Sequence, residues 1–195
     1  MKPFAVIKTV LLRKSLHFLI AFAPTLAGLN YPLSVLLLCT GTVFYAFAES
    51  LRFSGNGSAP LISKITILAS HSRDKSRFVL GPVTLGGGAL FALLILPPLP
   101  FTVAIYALAF GDGFAGIIGR IFGRIRPHFL FGKSVEGSFA CFIAIFISTE
   151  LLTQNCLCAL SCALVGCLVE ILPVEDFDNI LIPLCVGLTA NIILN

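Results

Sequence analysis

Charge is scarce in this chain of 195 residues. Charged residues make up 11% of it, whereas apolar residues reach 57% and the mean hydropathy is +1.02. A soluble globular domain carries about 25% charged residues, so this composition excludes that class. It predicts an all-α, polytopic transmembrane bundle. Because most residues are committed to spans, we expect one integral membrane domain over 1–195.

Cysteine pairs typical of metal or redox sites are also missing. The seven cysteines form no C-x-x-C pair, and all of them lie in apolar segments. We interpret them as small apolar fillers, with a metal or disulfide role for Cys156, Cys158 and Cys162 as the alternative. The net charge of +4 is interpreted as a signal of membrane topology, so no nucleic-acid partner is expected.

The uncharged stretches are too long to be single helices. Between Lys14 and Glu49 lie 34 residues without a formal charge, apart from His17. As one helix they would extend about 51 Å, beyond a hydrocarbon core of about 30 Å, so they must fold back. Turn-forming residues predict such breaks at 28–32, 97–100 and 151–155. About seven spans result, including spans near 16–29, 32–48 and 179–194.

The basic residues assign the sides of the membrane. All thirteen Lys and Arg residues precede span one, or fall between spans two and three or between spans four and five. The positive-inside rule therefore places the N-terminus and these segments in the cytoplasm. A cleaved signal peptide over 1–27 is the alternative, but another span follows at once. In the 53–76 connection, helical spacing after Pro60 predicts a short interfacial helix.

One segment, 110–138, gathers charges of both signs at the end of an apolar helix. Asp112 lies in an apolar run, where a carboxylate costs about 2.5–3.5 kcal/mol and indicates a functional site. A bound triphosphate needs a divalent metal on one or two carboxylates, and cations on its phosphoryl oxygens. Asp112 is therefore assigned to metal binding or hydroxyl activation. The expected phosphate ligands are Arg120, Arg124 and Lys133.

Other residues of this segment allow two interpretations. Glu136 is either a second metal ligand or a carboxylate that favours a helix N-terminus. Ala115, Gly116 and Gly119 share a helix face with Asp112, and we expect them to let another helix or a ligand approach the backbone closely. The same segment contains G-x-G-x-x-G and G-K-S, but no strand–helix alternation surrounds them, which argues against soluble nucleotide-binding folds.

Four sequence motifs occur in a fixed order along most of the chain. They are Arg13-Lys14-Ser15-Leu16-His17, Gly111-Asp112-Gly113-x-Ala115-x-x-x-Gly119-Arg120-x-x-Gly123, Gly132-Lys133-Ser134-Val135-Glu136-Gly137-Ser138, and Glu170 with Asp178-Asn179-x-x-x-Pro183. With these motifs the chain resembles the polytopic lipid kinases, a group that contains phytol kinase, dolichol kinase and the CTP-dependent diacylglycerol kinase. The resemblance implies transfer of a phosphoryl group from CTP to a membrane lipid alcohol with a divalent metal such as Mg²⁺.

The resemblance also distributes roles along the chain. The implied catalytic residues are Asp112, Lys133, Glu136 and His17. The implied nucleotide and phosphate ligands are Arg120, Arg124, Lys133 and Ser134, and the implied metal ligands are Asp112, Glu136 and Asp178. The residues expected near the lipid headgroup are Arg13, Lys14, Glu49, Arg52, Glu170 and Asn179. For Glu170 and Asp178, ion pairs that dock the last helices are the alternative. We expect the site to face the cytoplasm, at the plasma (inner) membrane if the protein is bacterial.

Two other functions compete with a kinase. Phosphatidate cytidylyltransferases carry a similar signature, but Val103 replaces their serine, and Phe131-Gly132-Lys133 replaces their Pro-Lys-Lys. The loss of one lysine favours a neutral alcohol over an anionic lipid as the acceptor. A transporter would place ionisable groups near the bilayer midplane. Here they gather at one interface, which favours chemistry on a lipid. Arg126 is interpreted as an ordinary cytoplasmic charge.

Overall fold

The structure is a computed structural model that describes residues 3–54 and 78–195, and within these ranges every regular element is helical. The α-helices are α1 (Pro3–Ile20), α2 (Ala23–Leu29), α3 (Tyr31–Phe53), α4 (Gly81–Ile95), α5 (Pro98–Tyr106), α6 (Gly113–Ile121), α7 (Val135–Thr153), α8 (Cys156–Ile171) and α9 (Asp178–Leu194). A π-helical turn, Ala107–Asp112, joins α5 to α6, so that one helix runs through Pro98–Ile121. The interfacial helix expected after Pro60 lies outside the described residues.

The three predicted breaks are confirmed as breaks between helices. The side chain of Asn30 accepts a hydrogen bond from the Leu33 amide at 3.0 Å and caps α3. In the same way, Asn155 accepts one from the Cys158 amide at 3.0 Å and caps α8. Between them, α4 ends at Ile95, and a proline begins α5. Each break therefore combines a helix stop with a residue suited to start the next helix.

The first predicted span differs from the structure. Instead of one helix over 16–29, α1 begins at Pro3 and ends at Ile20, and α2 follows after a two-residue turn. Pro24 in the first turn of α2 has no backbone N–H, so it cannot donate to the carbonyl of Ile20. The helix ends in a tighter turn instead, in which the Ala21 amide donates to the Phe18 carbonyl, three residues earlier, at 3.2 Å.

Apolar surface dominates the outside of the described helices. Three of these helices are long and apolar enough to cross a membrane: Tyr31–Phe53, Pro98–Ile121 and Val135–Thr153. Large apolar side chains on α3, among them Phe44 and Phe47, are exposed. Such continuous apolar surface is compatible with an integral membrane protein.

The helix Pro98–Ile121 runs through the middle of the packed helices. Val103, Ile105 and Leu108 on it are fully buried, and its π-helical turn contacts α1, α7 and α9. Around it, α7 packs on α8, α8 on α9, and α9 on α4 and α5. Cys158 and Cys162 are free and buried in this apolar core, as expected of small apolar fillers, whereas Cys156 is exposed.

Candidate active site

Asp112 ends the π-helical turn and contacts two residues of α1. Its Oδ2 lies 2.6 Å from the Lys14 Nζ and 3.0 Å from the His17 Nδ1. All three residues are buried, with 6%, 8% and 4% of their surface exposed for Asp112, Lys14 and His17. The carboxylate therefore has a buried cation as its direct partner, which offsets much of the cost of holding a charge away from water.

Glycines on α6 make this contact possible. A Cβ on Gly116 would overlap the Lys14 Cε, and one on Gly113 would lie 3.1 Å from the Phe18 ring. Further along α6, a Cβ on Gly119 would lie 2.9 Å from the Ser134 Oγ. The prediction that small residues let other elements approach this helix face is thus confirmed.

The π-helical turn determines where Asp112 lies. A π turn inserts one extra residue into the helical repeat and rotates the residues beyond it, and such turns are frequent at functional sites. Here the turn packs against α7, where a Cβ on Gly111 would lie 2.7 Å from the Ile145 Cγ1. The turn thus places the backbone of Gly111 against α7 and the carboxylate of Asp112 against α1.

A cavity of about 230 Å³ opens beside Asp112. Its walls are α1, α6, the start of α7, the loop before α7 and the end of α8. Among the described residues that line it, five side chains are basic, namely Arg13, Lys14, Arg120, Arg126 and Lys133, and two are acidic, Asp112 and Glu170. The cavity therefore carries an excess of positive charge in a largely apolar protein.

Lys133 and Glu170 form the far wall of this cavity. The Lys133 Nζ lies 3.0 Å from the Glu170 Oε1 and also donates to the Glu170 backbone carbonyl. Glu170 is buried, and its Oε2 accepts a hydrogen bond from the Ser138 Oγ at 3.2 Å. Lys133 is thereby held against the end of α8 with its ammonium group at the cavity. Glu170 thus lines the cavity and also forms an ion pair that joins the end of α8 to the loop before α7.

The loop before α7 is braced by two residues that the sequence assigns to ligands. Ser134 caps α7, and its Oγ accepts a hydrogen bond from the Gly137 amide at 3.1 Å. The Glu136 carboxylate accepts the Arg124 amide at 2.9 Å and the Ile125 amide at 3.2 Å. Glu136 is not among the residues that line the cavity, and its contacts agree with the helix N-terminus interpretation.

Arg126, interpreted from the sequence as an ordinary cytoplasmic charge, instead lines the cavity. Its guanidinium donates to the carbonyls of Gly132 and Gly119, each at 2.6 Å. Gly132 has a φ of +87°, and Phe131 before it a φ of 49°, so the loop turns sharply just before Lys133. Arg126 fixes this turn from inside the loop. The sequence carries no signal for this role, because it depends on the path of an irregular loop.

Three residues expected near the lipid headgroup lie away from the cavity lining. The Arg52 guanidinium bonds both oxygens of Glu49 at 2.5 and 2.7 Å, and Glu49 also accepts the Val79 amide at 2.8 Å. Asn179 is buried and donates to the Thr84 hydroxyl at 3.0 Å. These contacts connect α3 to the segment before α4, and α9 to α4.

Metal ligands are sparse around Asp112. Within residues 3–54 and 78–195, no group of three or more His, Cys, Asp or Glu side chains is arranged to hold an ion. Asp178, at the start of α9, is half-buried and lies within electrostatic range of Asp112, Lys14 and Lys133. Of the three predicted metal ligands, Asp112 therefore lines the cavity and Asp178 lies within range of it, whereas Glu136 is not part of the described cavity lining.

Comparison with protein-family models, with curated proteins and with solved structures finds no match to this chain. The chemistry of the site is therefore argued from its own residues.

Proposed function

We propose that this protein is a membrane lipid-alcohol kinase, which transfers the γ-phosphoryl group of a nucleoside triphosphate, CTP by resemblance, to the hydroxyl of a polyprenol, phytol or diacylglycerol. One observation carries the proposal: a buried carboxylate, Asp112, borders a cavity lined by five basic side chains. Phosphoryl transfer needs little covalent chemistry from the protein, and depends on positioning and on charge neutralisation.

The size and charge of the cavity suit phosphate groups. Sites for whole small molecules enclose about 300–1,000 Å³, whereas this cavity encloses about 230 Å³. A triphosphate would occupy it, and the nucleoside and the lipid chain would extend beyond it. Lys133, Arg120 and Arg13 would bind phosphoryl oxygens, since charge-assisted hydrogen bonds to such oxygens are strong.

Asp112 has two roles compatible with its position. It can accept the proton of the lipid hydroxyl, with His17 and Lys14 fixing its orientation. It can also hold a divalent cation, and Mg²⁺ on a nucleotide takes only one or two protein carboxylates, so Asp112 and the nearby Asp178 fit that need. When bound, such an ion neutralises charge on the phosphoryl oxygens.

We further propose seven membrane passes with the N-terminus and the cavity on the cytoplasmic side. Three contacts support this arrangement, because each joins chain segments that the distribution of charge assigns to that side. They are Arg13 to Asp176 at 2.7 Å, Lys14 to Asp112 at 2.6 Å and Lys133 to Glu170 at 3.0 Å. A transporter is less compatible with this clustering at one end.

The proposal is tested by following which phosphorus of CTP is transferred to the lipid. Purified protein in lipid vesicles is incubated with either a lipid alcohol or phosphatidate, together with Mg²⁺ and CTP labelled at either the γ or the α phosphorus. A kinase places γ-label in the lipid, leaves α-label in CDP, and needs Asp112. If α-label enters the lipid, with phosphatidate as the acceptor and pyrophosphate released, the protein is a cytidylyltransferase. Val103, fully buried among apolar residues, argues against that outcome because it supplies no hydroxyl.

A further inference from the structure

A second cavity, of about 410 Å³, lies between α1, α3 and α4. It exists because α1 packs against α6 and the π-helical turn, and leaves a gap towards α3 and α4. None of the described residues that line it is charged. We call it the apolar groove, and the residues that define it here are Leu16, Leu19, Ile20, Leu38, Gly41 and Leu85.

The apolar groove and the charged cavity lie on opposite sides of α1. At about 100° per residue, Leu16 and Leu19 point away from Lys14 around the helix axis. Lys14 faces the cavity beside Asp112, and Leu16 and Leu19 face the groove. A molecule that used both would cross α1 near Arg13 and Lys14, in the second half of the helix.

Arg13 lies on α1 next to Lys14, at the position of this crossing. It lines the charged cavity, and its guanidinium bonds the Asp176 Oδ1 at 2.7 Å. The same oxygen lies 3.4 Å from the position that a Cβ on Gly81 would take. The next residue, Pro82, lines the apolar groove. This ion pair, whose side chains are 28% and 27% exposed, therefore lies between the linings of the two cavities.

We propose that the apolar groove binds one hydrocarbon chain of the lipid alcohol, and that the alcohol carries its hydroxyl past Arg13 and Asp176 to Asp112. This assignment rests on the proposed kinase function. The uncharged lining suits a hydrocarbon chain. The volume lies at the lower end of the range for a single bound molecule, about 300–1,000 Å³, so the groove holds one chain rather than two.

Gly41 offers a way to fill the groove without disturbing the fold. It lines the groove, and a Cβ added there would meet no heavy atom within 4 Å. Gly87 on α4 has the same open space but is not part of the groove lining, which makes it a matched control. In both helices leucine has a better helix propensity than glycine, so neither Gly41→Leu nor Gly87→Leu should weaken its helix.

Photo-crosslinking tests the assignment without relying on turnover. A diazirine-bearing isoprenoid alcohol is added to protein in phosphatidylcholine vesicles, and labelled peptides are mapped by mass spectrometry. Labelling should concentrate on the groove residues of α1 and α3, fall about tenfold in Gly41→Leu, and stay unchanged in Gly87→Leu. Labelling spread over the outer apolar surface, or unchanged in Gly41→Leu, would mean that only bulk membrane lipid fills the groove, and would overturn the proposal.

Kinetics separate this proposal from the kinase proposal. Gly41→Leu should raise the KM for a long-chain alcohol about tenfold, leave the KM for CTP unchanged, and affect a short-chain isoprenol much less. Equal effects on long and short alcohols would contradict chain binding in the groove. If the wild-type protein transfers no phosphoryl group yet labels in the groove, the kinase function is wrong and the lipid site stands.

Discussion

Replacing Asp112 by Asn tests the energetics of the site and its chemistry together. The change keeps the shape of the side chain but removes the carboxylate that pairs with Lys14 at 2.6 Å, and Lys14 is only 8% exposed. Breaking a buried ion pair by removing one partner costs about 3–5 kcal/mol, because the remaining charge stays buried. At about 2–4 °C per kcal/mol, Asp112→Asn should lower the Tm by roughly 6–20 °C.

A second substitution separates stability from activity. Lys14→Met combined with Asp112→Asn removes both charges, and should restore most of the Tm, since a neutral pair in place of a buried ion pair is often tolerated. Turnover should be absent in both variants. Asp176→Asn is the matched control, because the Arg13 to Asp176 pair is partly exposed and should contribute at most about 1 kcal/mol.

The assay can use the protein's own buried cysteines. Cys141, Cys158 and Cys162 are free and buried, so once the exposed Cys39 and Cys156 are replaced by serine, a thiol-reactive fluorophore reports unfolding in detergent on heating. A Tm for Asp112→Asn equal to that of the parent would refute the buried-pair argument. Turnover near the parental rate in a correctly folded Asp112→Asn protein would refute the catalytic assignment, whatever its Tm.

Three further predictions concern Lys133, Glu136 and the membrane topology. Lys133→Met should raise the KM for CTP about tenfold through loss of a phosphate ligand, and Lys133→Arg should raise it less, as steady-state kinetics would reveal. Glu136→Gln should retain a kcat within about threefold of the parent if Glu136 only braces the loop, whereas loss of turnover without unfolding would make it a metal ligand. A single cysteine at Ser58 should be labelled from the cytoplasmic side, in inverted vesicles, and one at Gly28 from the outer side, in intact cells. The reverse pattern would overturn the topology.

Helix breaks were readable from the sequence because each depends on local chemistry. Asn30 and Asn155 cap the helices that follow them, and a capping side chain acts within three residues. The break between α1 and α2 also has a local cause, Pro24 in the first turn of α2. Apolar periodicity alone does not predict this break. The residues on both sides of this break are mostly apolar, so the polarity pattern of 16–29 does not indicate it.

The partners of the charges were less predictable. The sequence singles out Asp112, and its cost in lipid suggests that removing the charge relieves the protein. The structure reverses that expectation, because Lys14 is buried against the same carboxylate. Which residue of α1 faces Asp112 depends on the rotation of α1 against α6, and the missing side chain of Gly116 sets that contact. No spacing within either helix contains this information.

Ser134 and Glu136, which the sequence assigns to ligands, hold the cavity walls in place. There is a physical reason for this role. The proposed triphosphate site needs cations at fixed positions, yet Lys133 lies in an irregular part of the loop, after the short 3-10 turn His128–Leu130. Ser134, Glu136 and Arg126 satisfy the backbone groups of that loop and so restrict the paths available to it. Polar residues are therefore dense around the site for two reasons, and only the geometry shows that Ser134 and Arg126 serve both, because they line the cavity and also hold its walls.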